Sequence, residues 1–299
     1  MEELMKYLKV VDLTPSGIGV PFISGYLINL GSLLVSIEQG PKSSYEKLYK
    51  VIKELGFGDG RVDFIVTHIH LDHAGSVATL LNLIEDSVAY VHPKGVKHLI
   101  NPDRLWRASL DSLGYIAELY GRPDNAPSER IISTDDDMDL NYSGNLFKII
   151  HTIGHASHHQ SIYWVDYKAM FVGDSAGIYV KELNYIIPGT LYPTRLDLYI
   201  NSLKKMISYR PRYLMYPHYG IVEDGTSVLE GHLKQVIEYY KIARELDVKE
   251  LNIFINELSK SYDEVAILIQ KTRDIPLLKM LIEMSLMGLL REAERLESL

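Results

Sequence analysis

Thr67-His68-Ile69-His70-Leu71-Asp72-His73-Ala74-Gly75 crowds three histidines and an aspartate into one short stretch. The run before it, Val62-Asp63-Phe64-Ile65-Val66, is apolar and β-branched and predicts a buried strand. Residues 76–84 after it predict the first turns of a helix. The four polar residues therefore fall in a strand-to-helix turn, where side chains splay toward one point. His68 and His70, two positions apart, share a face of extended backbone, and Asp72 with His73 turns the corner. Neutral imidazole together with carboxylate suits zinc, iron or manganese better than calcium or magnesium. A lone histidine at a strand end is usually a half-buried polar residue; four metal-competent residues on one turn are a stronger signal.

Upstream, residues 8–13, 25–30 and 32–37 read as strands, the last two as an antiparallel pair about Gly31. Residues 44–55 read as an amphipathic helix. Downstream, a strand over 88–92 stops at Pro93, and residues 94–120 carry an apolar stripe at helical spacing through Leu105, Leu110, Leu113 and Ile116. Trp106, Tyr115, His92 and His98 are assigned to packing. Asp135-Asp136-Asp137-Met138-Asp139 reads as a solvated turn, because a calcium loop spaces its ligands wider and needs a glycine turn.

The strand-then-ligand pattern returns three times. Residues 146–150 lead into His151-Thr152-Ile153-Gly154-His155-Ala156-Ser157-His158-His159, residues 169–173 deliver Asp174, and residues 212–216 deliver Pro217-His218. Strands alternating with helices in this way imply an α/β plan with mixed sheets.

Composition narrows the function classes. The chain has 299 residues and a net charge of −8, which argues against a nucleic-acid or anionic-membrane surface. It contains no cysteine, so disulfides, thiolate ligands and thiol nucleophiles are excluded. No apolar run reaches the roughly 18 residues of a membrane span. The first residues lack the basic and apolar regions of a secretion signal, and a soluble, cytoplasmic protein is expected.

The four strand ends, in this order, resemble the metallo-β-lactamase superfamily of metal-dependent hydrolases over about residues 8–220. The motifs are His-x-His-x-Asp-His at 68–73, Gly-His at 154–155, Gly-Asp at 173–174 and Pro-His at 217–218. The resemblance implies an αβ/βα sandwich, two mixed β-sheets face to face with outer helices and metals along one edge. It implies one divalent metal held by His68, His70 and His155 and a second by Asp72, His73 and His218, with Asp174 bridging. Zinc is the favoured metal, with iron or manganese as alternatives.

By the same resemblance, a hydroxide shared by the two metals attacks a carbonyl, and Asp72 also orients it or passes its proton on. His158 and His159 exceed this ligand set and are read as supporting or structural. The glyoxalase II-like thioester hydrolases are the most similar branch. The alternatives are a lactonase, a mononuclear iron persulfide dioxygenase and, last, a non-enzymatic scaffold. Lactonases of the acyl-homoserine type carry tyrosine three positions after the bridging aspartate, where this chain has Gly177.

A catalytic domain over 1–225 is expected, followed by a helical extension over 226–299 that lies outside the motifs. The apolar run at 277–290 should pack on the sandwich or on a second subunit, making a homodimer. A small-molecule substrate is expected, in a pocket built from loops at 15–24, 94–127 and 178–195. No nucleic-acid or membrane partner is expected.

Overall fold

A computed structural model describes residues 1–246 and 250–297. A single turn, α1 (Glu2–Met5), precedes β1 (Leu8–Asp12), β2 (Ser24–Asn29) and β3 (Leu34–Ile37), three antiparallel neighbours. Helix α2 (Tyr45–Glu54) carries the chain back, so that β4 (Val62–Ile65) joins β3 in parallel. Beyond α3 (Leu71–Ala74) and α4 (Val77–Leu83), β5 (Ser87–Val91) continues the parallel half. Then α5 (Pro93–Ile100), α6 (Asp103–Leu113) and α7 (Tyr115–Tyr120) lead to β6 (Ile131–Ser133), the far edge of this six-stranded sheet.

The second sheet comprises β7 (Asp139–Tyr142), β8 (Asn145–His151), β9 (Gln160–Trp164) and β10 (Ala169–Phe171) from the middle of the chain. A separate hairpin, β11 (Ile178–Val180) and β12 (Tyr185–Ile187), and helix α8 (Leu196–Ser208) precede its last strands, β13 (Tyr213–Tyr216) and β14 (Gly220–Glu223). The order across this sheet is β14-β13-β10-β9-β8-β7. Among the described residues four helices follow: α9 (Gly225–Glu245), α10 (Leu251–Ser261), α11 (Asp263–Thr272) and α12 (Pro276–Glu297).

Strand alternation builds the layers. Tyr26, Ile28, Val35, Ile37 and Ile65 of the first sheet share a buried cluster with Phe147, Ile162, Trp164, Phe171 and Met215 of the second. Their neighbours on the same strands, among them Leu27, Phe64, Met170 and Leu214, belong to the other cluster, which includes the helices. This is the αβ/βα sandwich of two mixed sheets with outer helices.

Strand direction decides where the motifs land. In the second sheet β10 pairs parallel with β13 and antiparallel with β9, and β9 pairs antiparallel with β8. The ends of β8, β10 and β13 therefore share one edge. The end of β4 is tied to that edge by Gln160, whose backbone N–H and side-chain amide donate to the carbonyls of Thr67 and Val66, both at 2.8 Å.

Several elements depart from the sequence reading. The helical stretch over 94–120 is three helices. Pro102 has no N–H and disfavours helix at Asn101, and Gly114 adopts φ +53° between α6 and α7. Tyr115, read as core, is 67% exposed just past that glycine. The stretch over 178–195, read as loop, contains the β11–β12 hairpin, and α8 was not foreseen. The run at 277–290 packs on its own chain, with Leu281, Ile282, Leu286, Leu289 and Leu290 buried. Among the described residues no helix is long and apolar enough to cross a membrane.

Candidate metal centre

The end of β4 delivers His68 and His70 in extended backbone, and α3 turns Asp72 and His73 back toward them. The turn after β8 supplies His155, the turn after β10 supplies Asp174, and the turn after β13 supplies His218. All seven residues converge. His70 Nδ1 lies 3.0 Å from His68 Nε2 and 3.2 Å from His155 Nε2. Asp72 Oδ2 lies 3.6 Å from His73 Nε2 and 3.7 Å from His218 Nε2. Asp174 stands between the two sets. Its Oδ2 is 3.5 Å from His155 Nε2 and 3.6 Å from His73 Nε2, and its Oδ1 is 3.4 Å from His218 Nε2. The nitrogen and oxygen atoms of His68, His70 and His155, and those of Asp72, His73 and His218, form two compact metal-competent groups.

The rings are held from behind. The Gly189 carbonyl, 2.8 Å away, accepts from His155 Nδ1, and the Phe22 carbonyl, 3.3 Å away, accepts from His218 Nδ1. A carbonyl can only accept, so both protons sit on Nδ1 and both Nε2 lone pairs face the centre. Phe22 also stacks on the His218 ring at 4.3 Å. His73 Nδ1 meets Glu38 Oε2 at 2.7 Å, and His68 Nδ1 meets the Thr67 hydroxyl at 3.2 Å.

Glu38 was not foreseen. It is buried at φ +60°, a strained region for a residue other than glycine, and the backbone N–H groups of Gln39 and Gly40 both donate to the His73 carbonyl. Of the two extra histidines, His159 has the clearer role. Its Nε2 accepts the Asp174 backbone N–H at 3.1 Å, while Nδ1 faces the hydroxyls of Thr152 and Ser175. Gly173 has φ +50°, and a Cβ there would lie 2.3 Å from the His159 ring, so the Gly-Asp pair is required for the turn to close over His159.

The electrostatics fit a cation. Burial pushes His68 and His70 well below the ordinary imidazole pKa, aided by neighbouring imidazoles, which leaves them neutral as ligands must be. Burial also opposes charge on His73, but the carboxylates of Asp72, Asp174 and Glu38 outweigh it and raise its pKa well above normal. That end of the centre calls for positive charge. Burial likewise opposes the Asp174 carboxylate, yet His73 and His218 hold its pKa well below the usual range. Among the described residues, neither His73 Nε2 nor Asp174 Oδ1 finds a hydrogen-bond partner, although both are buried. Orphaned buried polar atoms aimed into a nest of imidazoles and carboxylates suit divalent cations, which would take the place of the proton on His73.

The centre forms the floor of a cavity of about 640 Å³. Of the three loops expected to wall it, 94–127 and 178–195 do so, through residues such as Leu113, Tyr120 and Leu191. Segment 15–24 contributes no wall residue but supplies Phe22 behind His218. Tyr120 is buried, and burial with the nearby Asp72 and Asp174 raises its phenol pKa well above normal. His92, assigned to packing, is buried and accepts the Lys94 N–H at the start of α5.

The sequence matches the metallo-beta-lactamase superfamily over residues 25–218. The chain belongs to that superfamily. ST1585, a metallo-beta-lactamase fold-containing protein of Sulfurisphaera tokodaii, is 29% identical over 221 residues, covering 72% of this chain and 79% of that protein. The solved structure of ST1585 superposes with a TM-score of 0.72 at 24% identity, covering 96% of this chain and 98% of that one. A metallo-beta-lactamase family protein of Thermus thermophilus, TTHA1429, gives 0.67 at 17% identity, with 97% and 94% covered. An atrochrysone carboxyl ACP thioesterase of a Cryptosporiopsis species is 23% identical, over 77% of this chain and 59% of its own length.

Proposed function

We propose that this superfamily member is a metal-dependent hydrolase of esters or thioesters with two divalent cations, zinc first among the candidates. The observation that carries the reading is the sharing of Asp174 between two complete ligand sets. His68, His70 and His155 would hold one cation and Asp72, His73 and His218 the other. A mononuclear centre, as in an iron persulfide dioxygenase, would leave one of these sets unfilled, so two cations are the better account. Likeness to an ACP thioesterase supports a thioester among the substrates.

Bound divalent cations supply Lewis acidity and lower the pKa of water to about 7. The protein's part is to hold geometry and move protons. Asp174 keeps the two sets in register. Gly189, Phe22 and Glu38 fix the imidazoles so that no reorganisation is needed as charge develops. Asp72 is the partly open carboxylate at the cavity floor, suited to taking a proton from the nucleophile and returning it to the leaving group. The Tyr120 phenol stays protonated and offers a donor at the same floor. An occupant seated on the apolar walls would displace water from the cavity, which would strengthen each of these interactions.

The test is reconstitution with zinc, iron or manganese separately, followed by metal analysis and a panel of esters and thioesters. Turnover that chelation abolishes and metal restores supports the reading. Less than one equivalent of bound metal, or no turnover with any of the three, overturns it.

A further inference from the structure

Two parts of the chain outside the ligand motifs face the cavity above the cluster with apolar side chains. Leu113 of α6 and Ile116 of α7 line one wall. On the other, α12 presents Leu277, Met280, Leu281 and Met284, the i, i+3, i+4, i+7 spacing of a single helical stripe. Leu113, Ile116, Met280 and Met284 are only half-buried, so the walls hold apolar surface that an occupant would take out of water. The charged lining is Asp72 and Asp174 at the floor, plus Lys94 and Arg195, both exposed, with Arg195 held by Asp197 at 2.8 Å.

Polar side chains lie mainly at the floor and rim; α6 adds Ser109 and Ser112, the latter's hydroxyl already donating to the Ala108 carbonyl at 2.9 Å. A small polar acyl group would need hydrogen-bond partners along the walls, and the α12 stripe offers none. Methionine pairs unbranched flexibility with a polarisable sulfur, which suits a wall that adapts to a chain rather than to a rigid ring.

We infer that the substrate carries an extended apolar acyl chain, seated between α6–α7 and α12 with its carbonyl at the His/Asp cluster. This rests on the hydrolase reading for the reaction but on the walls for the chain. It also gives the C-terminal helix α12 a part in choosing the substrate.

The experiment is calorimetric titration of the zinc-loaded protein with straight-chain carboxylates from butanoate to dodecanoate, for the wild type and for Leu113→Trp and Met284→Trp on opposite walls. Affinity should rise roughly fourfold per added methylene until the chain fills the cavity. In each variant the rise should stop at a shorter chain, with metal content unchanged. Affinity independent of chain length overturns the inference, as does a rise that is the same in the wild type and a folded variant. Should a variant fail to fold, the other wall and the wild-type slope still decide. Chain-length-dependent binding without turnover of any ester or thioester would remove the hydrolase reading and leave the acyl-chain inference standing. Turnover of short acyl esters with a flat binding profile would do the reverse.

Discussion

Glu38 shows how one residue can tune a site without lining it. Its carboxylate, 2.7 Å from His73 Nδ1, polarises the imidazole whose other nitrogen points into the cluster. Glu38→Gln keeps the size and an acceptor oxygen but removes the charge. Metal affinity should fall about 10- to 100-fold, read by competition with a chromophoric chelator, with the fold intact by circular dichroism. An unchanged affinity would mean that the contact is structural only. Nothing in Glu38-Gln39-Gly40-Pro41 announced this role, because a glutamate at a strand end before Gly-Pro reads as turn chemistry. The pairing is made across 35 positions, and only the close approach of the β3 end to α3 creates it. His68, His70, Asp72 and His73, by contrast, were legible at once, because metal chemistry needs those side chains and the local turn already gathers them.

Among the elements, α9 and α12 brace the segment that carries Gly189. Ser285 of α12 donates to the Pro188 carbonyl, and Thr190 donates to the Ser285 carbonyl. At Gly288 a Cβ would fall 1.7 Å from the Thr190 carbonyl oxygen, backbone that has no room to move aside. Gly288→Ala should cost about 1–3 kcal/mol in urea unfolding, an overpacking penalty. From α9, His232 Nε2 meets the Tyr199 hydroxyl at 2.9 Å, and that hydroxyl accepts the Gly189 N–H at 3.1 Å. Burial pushes the His232 pKa down to about 4. Between that value and the unfolded value near 6.5 the unfolded chain binds more protons, so stability rises with pH across this window. His232→Gln should remove on the order of 3 kcal/mol of that pH dependence, visible as a flatter stability profile from pH 6.5 to pH 4. At this scale the sequence reading was uneven. Period and composition found the first strands and those that lead into the ligands, but left β6, β7, β14 and the β11–β12 hairpin unassigned, joined three helices over 94–120 and missed α8. Helical periodicity reports an apolar face, and that face is continued by separate helices packed on one surface.

For the whole molecule, cation binding couples to folding, since the two ligand sets draw on both sheets and exist only in the folded chain. A cation at a hundredfold excess over its dissociation constant adds about 2.7 kcal/mol to stability. Removal by a chelator should therefore lower the thermal midpoint by several degrees, and added zinc should restore it. A midpoint indifferent to chelation would count against cations at the centre.

The kind of chemistry was written in the chain. Four apolar runs each end in histidine or aspartate, and side-chain type with strand period is local information that needs no partner. What required the folded molecule was everything set by distance between remote segments. The parallel run of β8, β10 and β13 puts His155, Asp174 and His218 on one edge, the carbonyls of Gly189 and Phe22 choose the imidazole tautomers, and α12 returns to wall the cavity. These depend on strand order and helix packing, which arise from the mutual burial of many side chains and leave no mark in any single stretch of sequence.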